Sequence, residues 1–93
     1  MSDSQAIHNN TAMHRYEAPV GDQLALAAYT RSGDTITFTH TEVPAEFEGK
    51  GIGSALAHFA LSDARAQGLR VVAHCSFIAA YITRHPEFQD LAA

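Results

Sequence analysis

Residues 40–54 of the chain read HTEVPAEFEGKGIGS, and they join a β-branched stretch to a stretch rich in Ala, Leu and Phe. Glycines at positions 49, 51 and 53 alternate with other residues in this stretch. Glycine has no Cβ and tolerates positive φ, so backbone N–H groups in such a loop can close on a ligand. A helix that begins at the loop would point its unpaired N–H groups and its positive end at the same place. The stretch therefore predicts an anion site that suits a phosphate or pyrophosphate.

The residues before this loop predict antiparallel strands. Residues 35–41 alternate strictly and are rich in β-branched side chains, so they predict the clearest strand in the chain. Residues 24–30 predict a second strand that pairs with it as a hairpin. Their alanines would also permit a helix, and the Ser32-Gly33-Asp34 turn decides for the strand. Residues 13–17 predict a short first strand, followed by a turn over residues 18–22.

The residues after the loop predict a helix, a strand and a second helix. The first helix covers residues 52–67, with Gly68 as its cap, because apolar residues recur there at helical spacing. Residues 69–74 predict a buried strand, and the helical connection makes it parallel to the strand over residues 35–41. The second helix covers residues 76–84. Its buried side is predicted to consist of Phe77, Ile78, Tyr81 and Ile82. The predicted fold class is α/β (α+β), with antiparallel strands followed by a β-α-β-α unit.

Composition is typical of one small globular domain. The chain has 93 residues, of which 46% are hydrophobic and 17% are charged, enough for a single core. Polar residues 1–12 predict a flexible N-terminal tail, which leaves residues 13–93 as the domain. The net charge of −4 argues against nucleic acid as the main partner. The chain has no apolar run of about 18 residues and no apolar signal core, so neither a membrane span nor a signal peptide is predicted. A single cysteine suits a reducing, cytoplasmic location.

The loop resembles a known cofactor-binding motif. Residues 48–53, Glu-Gly-Lys-Gly-Ile-Gly, are similar to the acetyl-CoA pyrophosphate loop of the GNAT superfamily of N-acetyltransferases. That loop has Gln or Arg, two residues, Gly, one residue, then Gly or Ala. The HTEVP stretch at residues 40–44 and the stretch over residues 75–87 resemble the short, single-domain GNAT-like branch. The chain departs from the pattern at Glu48, where Gln or Arg is usual, and Lys50 would supply the positive charge instead.

The resemblance implies a minimal GNAT fold that binds acyl-CoA. In such a fold two parallel strands splay apart, here residues 39–43 and 71–75. The pantetheine arm then pairs with their exposed backbone like an added strand. The pyrophosphate lies on the amides of the glycine loop. The residues implied in cofactor binding are Thr41, Val43, Glu48, Gly49, Lys50, Gly51, Ile52, Gly53, Ser54, Cys75, Tyr81 and His85.

Candidate catalytic residues lie on the same two strands. Cys75 stands where a strand meets a helix N-terminus, a position that favours a reactive thiolate. It would either accept the acetyl group or only line the pocket, and a buried cysteine without a chemical role is the remaining interpretation. His40 and His74 flank the expected acetyl position, and either is a candidate general base. Glu42 is a candidate to attract or deprotonate a cationic amine. The histidines lack the spacing of a zinc site, so no metal is predicted.

The sequence leaves three functions open. The first is acetyl-CoA-dependent transfer of an acetyl group to a primary amine, on a protein lysine, a polyamine or a small molecule. The second is an acyl-CoA-binding or sensing module without turnover. The third is an interaction domain in which the glycines only make a tight turn. The acceptor is not identified, neither a membrane nor nucleic acid is expected as a partner, and a monomer or a weak homodimer is expected.

Overall fold

The computed structural model describes residues 6–92. The strands and helices in this part of the chain are β1 (His8–Asn10), β2 (Arg15–Val20), β3 (Gln23–Ser32), β4 (Thr35–Glu42), α1 (Ile52–Ala66), β5 (Arg70–Ala73) and α2 (Ser76–Arg84). Short 3₁₀ segments cover Ala45–Phe47 and Pro86–Leu91. The strands form one sheet in the order β1-β2-β3-β4-β5, antiparallel throughout except for the parallel pair β4 and β5. The predicted α/β class, with a β-α-β-α unit after antiparallel strands, is confirmed.

The N-terminal strands differ from the prediction. Strand β1 lies inside the predicted tail over residues 1–12, and residues 1–5 of that tail lie outside the described residues. Strand β2 extends to Val20, beyond the predicted end at residue 17, and includes Pro19. Proline is tolerated there because β1 pairs only with residues 15–17, so the edge of β2 beyond them needs no donor.

Strand β1 pairs with β2 through its backbone, and side-chain hydrogen bonds add to this attachment. The Glu17 carboxylate is 6% exposed and accepts hydrogen bonds from His8 Nε2 and Asn10 Nδ2, both at 3.0 Å, and from Arg15 Nε. The Arg15 guanidinium, followed by these other donors, lowers the pKa of Glu17 despite its burial. Polar residues that bond across strands give no hydrophobic alternation, which explains why the sequence pattern missed this strand.

The lowered pKa of Glu17 predicts acid sensitivity. A carboxyl group whose pKa is lower in the folded state stabilises the fold above its unfolded pKa, about 4.3 for Glu, and loses this contribution as the pH falls further. We therefore expect the thermal midpoint of the wild type to fall more steeply than that of Glu17→Gln between about pH 6 and about pH 3. Thermal unfolding followed by circular dichroism at several pH values measures this. If the thermal midpoints of the wild type and Glu17→Gln fell in parallel with pH, the pKa of Glu17 would be the same in the folded and unfolded states.

The core lies between the sheet and helix α1. Its largest fully buried side chains come from several elements and include Tyr16, Phe38, Ile36, Leu56, Leu61 and Ile78. The buried Tyr16 hydroxyl donates to Asp63 Oδ2 on α1 at 2.6 Å, which satisfies its polar end. Gly68, with φ of +72°, ends α1 with hydrogen bonds from Gly68 N to Arg65 O and from Leu69 N to Ala64 O. This Schellman arrangement agrees with the predicted end of the helix. Among the described residues, no helix has the length and apolar character needed to cross a membrane.

Candidate functional site

The parallel strands β4 and β5 separate beyond their first few residues. Their pairing extends from Thr35↔Arg70 to Phe38↔Ala73. The carbonyl oxygen of Phe38 then accepts hydrogen bonds from the backbone N–H groups of His74 and Cys75, each at 3.0 Å. Strand β4 continues to Glu42 while still paired with β3, whereas β5 has ended. Within residues 6–92, a stretch of β4 over residues 39–42 therefore has a backbone edge without a strand partner on the β5 side.

A β-bulge in this stretch determines which way its side chains point. The register with β3 skips a residue, because Phe38 pairs with Tyr29 and His40 pairs with Ala28, which leaves Thr39 extra. The Thr39 hydroxyl donates to the carbonyl oxygen of Ala28 at 3.4 Å. An extra residue on one strand reverses the alternation of the side chains that follow it.

The bulge decides which side chains of β4 beyond Thr39 lie on the helix side of the sheet and which lie on the other face. Thr41 is opposite Ala27, which is fully buried in the core, so Thr41 lies on the helix side. His40 and Glu42 are opposite Ala28 and Leu26, so they lie on the other face. His40 Nε2 is 2.6 Å from Glu42 Oε2, and both side chains are more than half exposed.

A cavity of about 450 Å³ opens on the helix side, beside the unpaired edge of β4. Such a volume is typical of small-molecule and cofactor sites. Its lining comes from the end of β4, the 3₁₀ segment after it, the glycine loop, the first turn of α1 and one residue of α2. The lining residues are Thr41, Val43, Phe47, Glu48, Gly49, Gly51, Ile52, Gly53, Ser54 and Phe77.

The backbone of the glycine loop has the conformation that the sequence predicts. Gly49 and Gly51 both have φ of +80°, a region that L-residues with a side chain rarely adopt. Gly51 is the N-cap of α1, and no side chain in the described part of the chain forms a capping hydrogen bond there. The first N–H groups of α1 thus lack both an intrahelical acceptor and a side-chain cap, and the residues that carry them line the cavity. With the positive end of the helix dipole, these groups favour an anion.

Cys75 lies next to the cavity without forming part of its lining. Its Sγ is 3.2 Å from the Thr41 hydroxyl, and the two groups are hydrogen-bonded to each other across the opening between the strands. The Cys75 side chain is buried and stands at the N-cap of α2, as the sequence predicts. Because Thr41 lines the cavity and contacts Cys75, the thiol is one contact away from a ligand there.

Tyr81 and His85 pack against each other at the end of α2, away from the cavity lining. Their rings stack with centroids 3.8 Å apart, and His85 Nδ1 donates to the carbonyl oxygen of Tyr81 at 2.8 Å. Burial, and secondarily the nearby Glu87 carboxylate, raises the pKa of the Tyr81 hydroxyl. Lys50 is exposed in the loop and is likewise outside the lining. The roles predicted for these residues in cofactor binding stay predictions.

Two lining residues were missed at the sequence level. Phe77 was predicted to belong to the buried side of α2, and instead it is 40% exposed and faces the cavity. Phe77 stands four residues before the buried Tyr81, so its helical spacing is that of a core residue. The sequence signal for its place at the cavity is that Phe77 stands in the first turn of α2, two residues after Cys75. Phe47 comes from the 3₁₀ segment between β4 and the loop, and its position there follows no helical or strand periodicity.

Comparisons with known proteins agree with this architecture. The sequence model of the GCN5-related N-acetyl-transferase family matches residues 15–91. The solution NMR structure of a GCN5-like candidate N-acetyltransferase from Staphylococcus aureus superposes with a TM-score of 0.76 and 25% sequence identity. That superposition covers 100% of this chain and 91% of the Staphylococcus aureus chain.

A search of the curated proteins finds no match. The family match spans nearly the whole domain, from the first core strand to the last 3₁₀ segment, and so includes the loop, the separated strands and Cys75. The resemblance seen in three short motifs therefore extends over strands β2 to β5 and both helices. The chain belongs to the family of GCN5-related N-acetyltransferases.

Proposed function

We propose that the protein transfers an acetyl group from acetyl-CoA to a primary amine and that the cavity on the helix side of the sheet holds the cofactor. The observation that carries this proposal is the meeting of the uncapped start of α1 with the unpaired edge of β4 at one cavity. The first feature suits a diphosphate and the second suits the amides of a pantetheine arm.

The residues present fit such a cofactor. Apart from the adjoining residues, no atom in the described part of the chain lies within 4 Å of a Cβ placed on Gly49 or on Gly51, so open space lies directly against the loop backbone. The N–H groups of the loop and of the first turn of α1 would hold the diphosphate there. The backbone of residues 39–42, free on the β5 side, would bind the amides of the arm. Bound acetyl-CoA supplies the acetyl group as an activated thioester.

The acceptor would approach from the opposite face of the sheet, where His40 and Glu42 lie. Glu42 accepts a hydrogen bond from His40 Nε2, which orients the imidazole. In the proposed reaction the amine nitrogen forms a bond to the acetyl carbon, the bond from that carbon to sulfur breaks, and the released thiolate leaves. His40 removes the proton that the amine loses.

We infer that the amine attacks the thioester directly and that Cys75 is not an acyl carrier. Two observations support direct attack. Cys75 is outside the cavity lining, and its thiol is hydrogen-bonded to the Thr41 hydroxyl. Mass spectrometry of the intact protein after exposure to acetyl-CoA without an amine tests it. The expected result is an unmodified chain. An acetyl group on Cys75, together with loss of turnover in Cys75→Ala, would establish the covalent route instead.

Isothermal calorimetry with CoA and acetyl-CoA tests the cofactor assignment itself. We expect saturable binding of both, and turnover when a primary amine is added with acetyl-CoA. Binding without turnover over a broad panel of amines would favour an acyl-CoA-binding module. The absence of heat at millimolar ligand would exclude both functions and leave the glycines as a tight turn.

Glu48 is predicted to weaken cofactor binding. It lines the cavity beside the proposed diphosphate site, where its negative charge repels a phosphate. We expect Glu48→Gln to bind CoA about three-fold more tightly at low ionic strength, with the gain reduced by added salt because exposed charges are screened. Calorimetry at two salt concentrations measures this.

Glu46→Gln is the matched control for this change. Glu46 is in the same segment and carries the same charge, but it lies outside the cavity lining and accepts a hydrogen bond from Gln23. Its substitution should leave CoA affinity nearly unchanged. An equal gain in both variants would mean that net charge, and not the place of Glu48, controls binding.

A further inference from the structure

Phe77 is a large apolar side chain left accessible beside the cavity. It is 40% exposed, and in the described part of the chain Met13, at 58%, is the other large apolar residue with such exposure. Phe77 is also the lining residue that comes from α2, whereas the other lining residues lie between residues 41 and 54. An exposed aromatic ring at the wall of a ligand cavity is a candidate contact for that ligand.

The ring lies close to the start of helix α1. A Cβ added at Gly53 would lie 3.4 Å from Phe77 Cε2 and 2.9 Å from Cζ, and the second distance is shorter than Cβ contacts in real structures. Gly53 is in the first turn of α1, so its backbone is helical and does not need a glycine for its conformation. The glycine leaves room for the ring, because a Cβ at this position would lie too close to Phe77 Cζ and the ring would have to shift. Phe77 thereby joins the starts of α1 and α2 across the opening between β4 and β5.

This position falls between the two ends of the proposed cofactor site. The first turn of α1, on one side of the ring, is the proposed diphosphate site. Cys75, two residues before Phe77, marks the thioester end through its contact with Thr41. A ring that lies near both points is a candidate contact for the arm that connects them, and a probe without the arm tests whether the ring also contacts the phosphates.

We propose that Phe77 is a positioning residue that packs against the pantetheine arm and sets the affinity for that half of the cofactor. The inference rests on the proposed function, since it requires CoA in the cavity. The exposed part of the ring would be covered by the arm, and burial of aromatic surface stabilises such a contact. The nucleotide half, held by backbone N–H groups, would not depend on the ring.

The test compares two probes on the same variants. We expect Phe77→Ala to weaken CoA about tenfold, which corresponds to about 1.4 kcal/mol. Adenosine 3′-phosphate 5′-diphosphate, which has the nucleotide half without the arm, should bind the variant within about two-fold of the wild type, measured directly or by displacement of CoA. Phe77→Tyr, which keeps an aromatic ring, should bind CoA with nearly the affinity of the wild type. Met13→Ala removes the other exposed apolar side chain and should change neither affinity.

A second variant tests the contact without removing the ring. Gly53→Ala should displace the ring and weaken CoA in the wild type. In the Phe77→Ala background the same change should have little further effect, because the atom that the new Cβ would meet is gone. Equal loss of both probes in Phe77→Ala, or additive losses in the double variant, would overturn the proposal and make the ring a support of the loop. Failure of the wild type to bind CoA would contradict the proposed function itself.

Discussion

Replacement of Gly51 with valine is expected to weaken CoA binding more than about 100-fold while the domain stays folded. Gly51 has φ of +80°, and a β-branched residue in this region is strained by about 1–3 kcal/mol. No atom lies within 4 Å of the position that a Cβ would take, so the added side chain fills open space in the cavity instead of disturbing the core. It would occupy the space proposed for the diphosphate and shift the N–H groups that begin α1. Calorimetry with CoA measures the loss.

Gly33→Val is a matched control for the strain. Gly33 has φ of +59° and lies in the turn between β3 and β4, outside the cavity lining. A Cβ added there would also meet no atom within 4 Å. Both variants should therefore lower the thermal midpoint by similar amounts, and only Gly51→Val should lose CoA. If the two variants keep equal affinity, the glycine loop is not the site of the diphosphate.

The loop could be predicted from sequence because its signals are local. Glycines at Gly49 and Gly51, followed by apolar residues at helical spacing, restrict the backbone to a turn with positive φ and a helix start. The end of α1 at Gly68 follows from the same rule for positive φ. The parallel pairing of β4 and β5 follows from a helix that connects two strands. The first two conclusions need only a few neighbouring residues, and the third needs only the order of the elements along the chain.

The faces of the site could not be predicted in this way, because they depend on pairing between distant residues. The bulge at Thr39 is defined by the register of β4 against β3. It puts Thr41 on the helix side of the sheet and His40 on the other face, whereas strict alternation along β4 would give the reverse. Phe77 carries the periodicity of a core residue and is exposed because α2 begins beside the open edge of β4. Strand β1 depends on polar bonds to Glu17, which leave no apolar pattern. In each case the decisive contact is long-range.

The second large effect is expected at His40. Its imidazole lies on the face opposite the cavity and bonds to Glu42. The proposed function places the amine, and not the cofactor, on this face. We expect His40→Gln to lower kcat about 100-fold or more, the typical contribution of a general base, with CoA affinity unchanged. Steady-state kinetics with a primary amine and calorimetry with CoA separate the two effects. Glu42→Gln should have a smaller effect, about tenfold, because it removes only the partner that orients the imidazole.

His74→Gln distinguishes His40 from the other candidate base. His74 is exposed just beyond the end of β5, and its backbone N–H, which a substitution retains, makes the hydrogen bond to Phe38. If His40 is the base, His74→Gln should keep nearly full kcat and His40→Gln should not. The reverse result would move the acceptor to the β5 side of the opening. Full activity in both single variants and in the double variant would mean that no histidine at this site takes the proton, so the bulge that presents His40 would have no catalytic purpose.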